Sequence, residues 1–340
     1  MRDATSLTRT RAMLVTALGS EIVAALGDPA VVEIMINPDG RLWVERHGSG
    51  RAESGAMTSA DSERVIRLVA SHVGRRADVG SPIVSAELPM GGERFEGVLP
   101  PVSPGPCFSI RKPAGRVIAL DAYVASGVMA AHHAEALRRA VLDRENILVV
   151  GGTGSGKTTL ANALLAEIAR TGDRLVILED TRELVSAARD AVQLRTQPGS
   201  VTLADLVRST LRLRPDRIII GEVRGAEALD MLKAWNTGHP GGIATLHANS
   251  AHGGLSRLEQ LIGETSAQVP HDLIAETIDC VVYISRRAGM HRVETVARMN
   301  GLGRQGYDLV PVQPDLQLVL PSLPFSEPLL STAPERIHPK

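Results

Sequence analysis

A glycine-rich loop between an apolar strand pattern and a helix pattern limits the folds that are open to this chain more than any other segment. Residues 151–158 read GGTGSGKT, which fits the pattern G-x-x-x-x-G-K-[ST], and the apolar run ILVV precedes them. Glycines let successive backbone N–H groups turn inward around a phosphate, and the following helix adds the favourable dipole of its N-terminus. This strand–loop–helix context is typical of P-loop folds. The sequence therefore predicts a nucleotide site.

Each part of the loop has an expected role. Lys157 would place a positive charge at the β- and γ-phosphate oxygens, and the Thr158 hydroxyl is a suitable ligand for Mg²⁺. The predicted nucleotide-binding residues are Gly151, Gly152, Thr153, Gly154, Ser155, Gly156, Lys157, Thr158 and Thr159.

Strands alternate with helical patterns around this loop, which predicts an α/β fold with a largely parallel sheet. Earlier in the chain, VVEIMINPDGRLWVER places strong turn residues between two apolar runs, as in a β-hairpin. We therefore predict two folded parts, a linker and a tail. These are a small α+β domain at 1–112, a linker at 113–127, a RecA-like P-loop domain at 128–312, and a proline-rich, extended or disordered tail at 313–340.

Length and composition agree with two domains. The chain has 340 residues, of which 44% are hydrophobic, and its 37 Lys and Arg residues nearly balance 38 Asp and Glu residues. The two cysteines, Cys107 and Cys280, lie far apart, so neither a disulfide framework nor a four-cysteine zinc site is expected. No run approaches the roughly 18–20 apolar residues of a membrane span, so we expect a cytosolic protein.

Three further segments carry acidic or histidine side chains after predicted strands. LVILEDTREL contains Glu179, RPDRIIIGEVRG contains Glu222, and GGIATLHANS contains His247. Taken singly, each acid could be a solvated turn residue and the histidine a structural hydrogen-bonding group. Because the carboxyl ends of parallel strands meet at one edge, we expect all three beside the phosphate loop.

In this order, the P-loop, the EDTRE box, the IIIGEVRG strand and the GGIATLHAN box resemble the secretion ATPases. These are the motors of type II and type IV secretion, type IV pili and conjugation. The strand ending resembles the Walker B strand of that family, in which glutamate replaces an Asp-Glu pair. The compact length and EDTRELVSA look most like the VirB11/TrbB conjugation branch, and the resemblance spans roughly residues 15–310.

The resemblance implies an ATPase that powers pilus assembly or the transfer of DNA or protein in a type IV secretion or conjugal transfer system. It implies ATP and Mg²⁺, a homohexameric ring, and docking on inner-membrane components of the apparatus at the cytoplasmic face. Direct stable binding of nucleic acid is not expected, because the net charge is −1 and aromatic residues make up only 2%.

Two glutamates are candidates for the carboxylate that activates the attacking water. The resemblance favours Glu179 as the general base and Glu222 as the organiser of magnesium, although the residues themselves leave both roles open. The expected metal-site residues are Thr158, Glu222 and Glu179. His247 is expected to sense the γ-phosphate or to link the site to a neighbouring segment.

Arginines from the first domain complete the expected catalytic set. Arg94 and Arg111 match arginines that reach the nucleotide in VirB11-like ATPases, where negative charge builds on the γ-phosphoryl oxygens. This would place the nucleotide between the domains, with hydrolysis changing their orientation; the alternative is an ordinary surface arginine. The expected catalytic residues are Glu179, Glu222, Lys157, His247, Arg94 and Arg111, with Arg182 and Arg224 as lesser candidates.

Three other functions share parts of this pattern. A pilus-assembly or type II secretion ATPase has the same core, but often carries a four-cysteine zinc module that is absent here. A nucleic-acid translocase would be stimulated by single-stranded DNA. A small-molecule P-loop kinase would need a substrate-binding lid, which neither the first domain nor the histidine box suggests.

Overall fold

We analysed a computed structural model of the chain, which describes residues 4–113, 117–197, 199–304 and 306–314. Residues 114–116 of the predicted linker and residues 315–340 of the predicted tail lie outside these ranges. The described residues form a six-stranded sheet followed along the chain by an eight-stranded sheet. The predicted fold class, a small α+β part followed by a largely parallel α/β part, is confirmed.

The N-terminal part is built on an antiparallel sheet with the strand order β3-β2-β1-β6-β5-β4. The predicted hairpin forms, with Ile36 opposite Leu42 across the Asn-Pro-Asp-Gly turn. The elements are α1 (Ala4–Gly27), β1 (Val31–Ile36), β2 (Arg41–Arg46), β3 (Gly50–Ala56), α2 (Ser59–His72), β4 (Ile83–Glu87), β5 (Arg94–Val98) and β6 (Cys107–Arg111).

Only one face of this sheet is packed by its own helices. Ile34, Val44, Phe95 and Ile110 lie fully buried on that face, in one cluster with residues of α1 and α2. Because successive side chains of a strand point to opposite faces, the charged residues that alternate with them lie on the other face. Arg94, next to Phe95, is one of these.

Helix α1 departs from the expectation that no segment could span a membrane. By length and composition only, its stretch Thr8–Gly27 is long and apolar enough to span a membrane, with a mean hydropathy of 1.2. Leu14, Leu18 and Ile22 of this helix are nevertheless buried in the core of the N-terminal part. These three side chains attach α1 to the N-terminal part, although only 28% of the apolar window is buried.

The second part is built on an eight-stranded sheet with the order β14-β13-β12-β7-β11-β10-β8-β9. The six strands from β12 to β9 in this order are parallel, and β13 and β14 are added antiparallel. The elements are α3 (Leu120–Ala125), α4 (Ala131–Leu142), β7 (Ile147–Gly151), α5 (Lys157–Ile168), β8 (Leu175–Glu179), β9 (Ala191–Arg195), α6 (Leu203–Thr210), β10 (Arg217–Val223), α7 (Glu227–Asn236), β11 (Ile243–His247), α8 (Ala251–Gly263), α9 (His271–Thr277), β12 (Cys280–Arg287), β13 (Met290–Gly303) and β14 (Gly306–Pro311).

Helices cover both faces of this sheet. Ile147 and Val149 of β7 belong to the core that contains α4 and α5 residues, whereas Leu148 and Val150 belong to the core that contains α7 and α8 residues. A strand buried on both faces is apolar at every position, which explains the continuous ILVV run.

Some local predictions need correction. The sequence VTLADLVRSTLRLRP predicts a helix over 201–215 that Thr202 and Asp205 could cap. The capping box is present, but the helix ends at Thr210. Strands β3 and β9 were not predicted, because GRAESGA has no large apolar residue and AVQLR is only five residues long. Both lie at sheet edges, where pairing with a neighbouring strand compensates for the weak pattern.

The topology brings distant segments together at one edge of the parallel sheet. His247 at the end of β11 is the register partner of Gly151 at the end of β7. Leu178, one residue before Glu179, is the register partner of Ile220, which precedes Gly221. The phosphate loop, the acidic box and the IIIGEVRG strand therefore end side by side.

Candidate nucleotide-binding site

A cleft of about 400 Å³ lies where the P-loop meets the N-terminal sheet. All residues that the sequence predicted for the site line it, except Gly151 and the lesser candidate Arg182. They are Arg94, Arg111, the loop residues from Gly152 to Thr159, Glu179, Glu222, the lesser candidate Arg224 and His247. The cleft also contains residues that the sequence did not single out, namely Thr181, Glu183, Val223, Leu246 and Arg257.

Gly151 stands where the surrounding chain leaves no room for a side chain. A Cβ at this position would be 2.4 Å from both the Ile284 carbonyl oxygen and the Ser155 hydroxyl. Gly154 and Gly156 have φ angles of 68° and 98°, in the left-handed region that favours glycine. These three glycines are needed for the path of the backbone.

Lys157 is held inside the loop that it follows. It is only 8% exposed, and its ammonium donates hydrogen bonds of 3.0 Å to the carbonyl oxygens of Gly151 and Gly152. Burial lowers the pKa of Lys157, and the Glu222 carboxylate, 4.0 Å from Nζ, opposes that shift. The lysine is thus a positive group positioned beside the loop backbone, as phosphate binding requires.

Glu179 is a buried carboxyl group at the end of β8. It is 3% exposed, and its Oε1 accepts hydrogen bonds from the backbone N–H groups of Glu183 at 2.9 Å and Leu184 at 2.8 Å. Burial raises the pKa of Glu179 to about 7, against the opposing effect of those two hydrogen bonds. A carboxyl group with this pKa can release and accept a proton near neutral pH, as a general base must.

The neighbouring strand explains why glycine stands at position 221. A Cβ at Gly221 would lie 2.9 Å from Cγ of Glu179, closer than Cβ atoms approach other atoms. An aspartate here would collide with the Glu179 side chain. The acid of β10 therefore comes one residue later, at Glu222.

Glu222 bridges two positive groups. Its Oε2 accepts a hydrogen bond of 2.7 Å from Nε of Arg224, and its Oε1 lies 4.0 Å from the Lys157 ammonium. Arg224 in turn lies 3.9 Å from the Asp180 carboxylate. Glu222 is therefore directed toward the phosphate loop, whereas Glu179 is buried between strands.

Glu183 lines the cleft, although its place in the sequence predicts no role for it. Its Oε2 accepts a hydrogen bond of 3.2 Å from the hydroxyl of Thr158, the predicted magnesium ligand. The available signal was the second glutamate of the EDTRE box, four residues after Glu179. Its contact with Thr158 depends on the tertiary packing of the box against α5.

Two other side chains reach the loop from elements without a recognisable motif. Arg257 of α8 lines the cleft. His291 at the start of β13 is 2.9 Å from the Ser155 carbonyl oxygen through Nδ1, which must carry the proton because a carbonyl only accepts. His247 itself is exposed at the end of β11.

The two predicted arginines enter the cleft from the N-terminal sheet. Arg94 on β5 and Arg111 on β6 are register partners, so their side chains lie next to each other on one face. The charge of Arg111 adds to the lowering of the Lys157 pKa that burial causes. The cleft therefore collects positive charge from both parts of the chain, which suits a polyphosphate.

Comparisons with known proteins agree with this geometry. The family described as Type II/IV secretion system protein matches residues 17–304. The chain is 53% identical over 292 residues to the conjugal transfer protein TrbB of Rhizobium radiobacter, covering 85% of this chain and 90% of that protein. It is 30% identical over 322 residues to the type IV secretion system protein VirB11 of Bartonella quintana (strain Toulouse), covering 81% of this chain and 90% of that protein.

A solved structure shows the same fold. The pilus retraction motor PilT with bound ADP superposes with a TM-score of 0.60 at 19% identity, covering 87% of this chain and 83% of that one. At this identity the likeness concerns the fold alone. The motifs, the family match and the relatives agree that this chain belongs to the type II/IV secretion system protein family.

Proposed function

We propose that the protein hydrolyses ATP to ADP and phosphate and that this reaction drives a conjugal transfer or type IV secretion apparatus. One observation carries the proposal: a P-loop lysine, a buried glutamate with a pKa of about 7 and two arginines from a separate sheet line a single cleft. The identity to conjugal transfer protein TrbB supports this apparatus as the partner.

The loop and the surrounding cations would bind the phosphates. Backbone N–H groups of the loop and the N-terminus of α5 favour the β-phosphate, and Lys157 is placed for the β- and γ-phosphate oxygens. Arg94 and Arg111 would stabilise the charge that develops on the γ-phosphoryl group. His247, at the edge of the cleft, is proposed to contact the γ-phosphate or a neighbouring segment.

Glu179 is the carboxylate that we propose as the general base. Deprotonated, it would orient the attacking water and accept its proton as the bond to the γ-phosphorus forms and the bond to the ADP oxygen breaks. Glu222 accepts a hydrogen bond from Arg224 and lies 4.0 Å from the Lys157 ammonium, and we propose it as the organiser of magnesium.

The donors at the loop fit Mg²⁺. They are oxygen atoms of Thr158, Glu183, Glu222 and Glu179, the ligand type that this cation prefers. Among the described residues, no three His, Cys, Asp or Glu side chains are close enough to hold a metal by themselves. Mg²⁺ usually shares its ligands between protein, water and nucleotide phosphates. When bound, it would neutralise phosphate charge, and Thr158, Glu222 and Glu179 are the residues that we propose would hold it.

We further propose a homohexamer that docks on inner-membrane components at the cytoplasmic face. The cleft lies between the two sheets, so a change of nucleotide would change the contacts between them. Relative motion of the sheets is the step that would be coupled to the apparatus. The mass of the particle in solution, measured with and without nucleotide, tests the number of subunits in the assembly.

The activity test uses the full-length chain with ATP and Mg²⁺. Free phosphate should be released without any phosphorylated acceptor, and single-stranded DNA should leave the rate within about twofold. Glu222→Gln should keep nucleotide binding and lose turnover. Undiminished turnover in that variant would remove Glu222 from the mechanism, and strong stimulation by DNA would favour a nucleic-acid translocase.

A further inference from the structure

A row of five charged residues crosses the face of the N-terminal sheet that does not pack on α1 and α2. Consecutive register partners form it, one on each of β2, β1, β6, β5 and β4. In that order the residues are Glu45, Glu33, Arg111, Arg94 and Glu87. The two cations thus stand in the middle of the row, with carboxylates on either side.

The Glu87 end of the row is bound to the acidic box. Glu87 forms an ion pair with Arg195, and its Oε1 accepts a hydrogen bond of 3.3 Å from the backbone N–H of Arg182. Arg195 is the register partner of Glu179 on the adjacent strand, and the next residue, Thr196, donates its N–H to the Glu179 carbonyl at 3.1 Å. Glu87 therefore connects the arginine-bearing sheet to the strands that hold the proposed base.

The Glu45 end is bound beside the phosphate loop. Oε1 of Glu45 lies 3.3 Å from a guanidinium nitrogen of Arg286, at the end of β12. The same guanidinium would be 3.8 Å from a Cβ at Gly154, so it flanks the loop. The two ends of the row thus contact strands β12 and β9, which lie on opposite sides of β7 in the second sheet.

The arginines in the middle of the row are held differently from the residues at its two ends. Within the described part of the chain, the guanidinium groups of Arg94 and Arg111 form no salt bridge, and both line the cleft. Their positions over the loop are therefore set by the strands that carry them. Glu33 accepts a hydrogen bond of 2.6 Å from the Ser109 hydroxyl and stays within the sheet.

We propose that Glu45 and Glu87 are positioning residues that attach both ends of this row to the P-loop part and so hold Arg94 and Arg111 over the phosphates. This inference rests on the proposed role of the two arginines in hydrolysis. The physical reason is that a displacement of about 1 Å at a reacting centre lowers the rate by up to about 10²-fold. The two contacts oppose such a displacement without touching the nucleotide.

The test measures phosphate release and nucleotide affinity with full-length variants. Glu87→Gln and Glu45→Gln should each lower kcat by about tenfold, while the Kd for a fluorescent ATP analogue stays within about twofold. Glu63→Gln is the matched control, since Glu63 pairs with Arg67 within α2, and it should leave both values unchanged. The midpoint of thermal unfolding should be the same for all variants. A lower kcat at an unchanged midpoint would come from displaced arginines and not from loss of folding.

A double-mutant cycle identifies the contact. Arg195→Gln should lower kcat as Glu87→Gln does, and the double variant should be within about twofold of either single one, because both remove the same link. If the decreases in kcat of the two single variants multiply in the double variant, the two residues act independently and the proposed link is wrong.

Two results separate this inference from the proposed function. If Arg94→Ala and Arg111→Ala lower kcat but Glu87→Gln and Glu45→Gln match the control, the positioning role is wrong and the catalytic role of the arginines stands. If the arginine variants also match the control, the arginines have no role in hydrolysis and the positioning inference fails with it.

Discussion

The side chain of Glu179 occupies the space next to Gly221, so that a Cβ at position 221 would lie 2.9 Å from Cγ of Glu179. The buried carboxyl group and the glycine are neighbours on adjacent parallel strands. This packing accounts for a strand whose acid, Glu222, stands one place beyond the aspartate of many ATP-hydrolysing proteins.

Replacing the glycine should therefore impair the proposed base. In Gly221→Ala the new methyl group forces the Glu179 side chain or β10 to move, so we expect kcat for phosphate release to fall by at least about tenfold. Nucleotide affinity should change by less than about threefold, because the loop is untouched.

Gly27→Ala is the control for this substitution, since a Cβ there meets nothing within 4 Å and the φ angle is ordinary. Its turnover should equal that of the unmodified protein. Equal turnover in Gly221→Ala and Gly27→Ala would mean that Glu179 can move without loss, which contradicts a base fixed in place.

The pH dependence should reflect the pKa of Glu179, which burial raises to about 7. Only the carboxylate can accept a proton, so kcat/KM should fall about tenfold per pH unit below 7 and level off above about 8. Steady-state phosphate release from pH 5.5 to 9 measures this. A profile that is flat between pH 6 and 8 would argue against Glu179 as the base.

Removing the charge of Glu179 should also stabilise the fold, because this carboxyl group is buried. The pKa of Glu179 in the folded state, about 7, is above the ordinary value of 4.5, so the folded state binds the proton more tightly than the unfolded state does. The stability that comes from this tighter proton binding is lost as pH rises from 4.5 through 7. Glu179→Gln should then be more stable than the unmodified protein by about 1–3 kcal/mol at pH 8 and by little at pH 5.

Chemical denaturation at both pH values measures that difference, with Glu63→Gln as a control at an exposed position. The gap between Glu179→Gln and the unmodified protein should widen with pH, while the control shows none. If the difference in stability between Glu179→Gln and the unmodified protein were the same at both pH values, it would come from packing and not from ionisation of Glu179.

Removing the arginines of the N-terminal sheet should slow the chemical step. Arg94→Ala and Arg111→Ala should each lower kcat by about 10–10³-fold, because each removes positive charge from developing negative charge on the phosphoryl group. Single-turnover phosphate release measures this directly. Arg67→Ala, on the exposed surface of α2, is the matched control and should leave the rate unchanged.

Several features could be predicted from the sequence because their signals are local. The loop GGTGSGKT lies within one contiguous stretch, so its pattern predicts both a strand–loop–helix unit and a phosphate site. The hairpin at 31–46 and the capping box at Thr202 are likewise set by neighbouring residues. The order of strand and helix patterns also predicted a largely parallel sheet, which the structure confirms.

Other features could not be predicted because they depend on register between strands that are distant in sequence. Glu183 reaches Thr158 only after the acidic box packs on α5. The row that contains Arg94 and Arg111 exists only after five strands align with one another. Neither relationship is visible as a spacing along the chain.

The phosphate loop, the fold class and the family can all be predicted from the residues in order, since each follows from short-range patterns. Packing in three dimensions is needed to explain why position 221 is glycine, to identify the buried carboxyl group, and to find the contacts that we propose hold the two arginines over the loop. The physical reason is that burial and close contact are properties of packed neighbours, and the neighbours of Glu179 and Glu87 are assembled by the sheets.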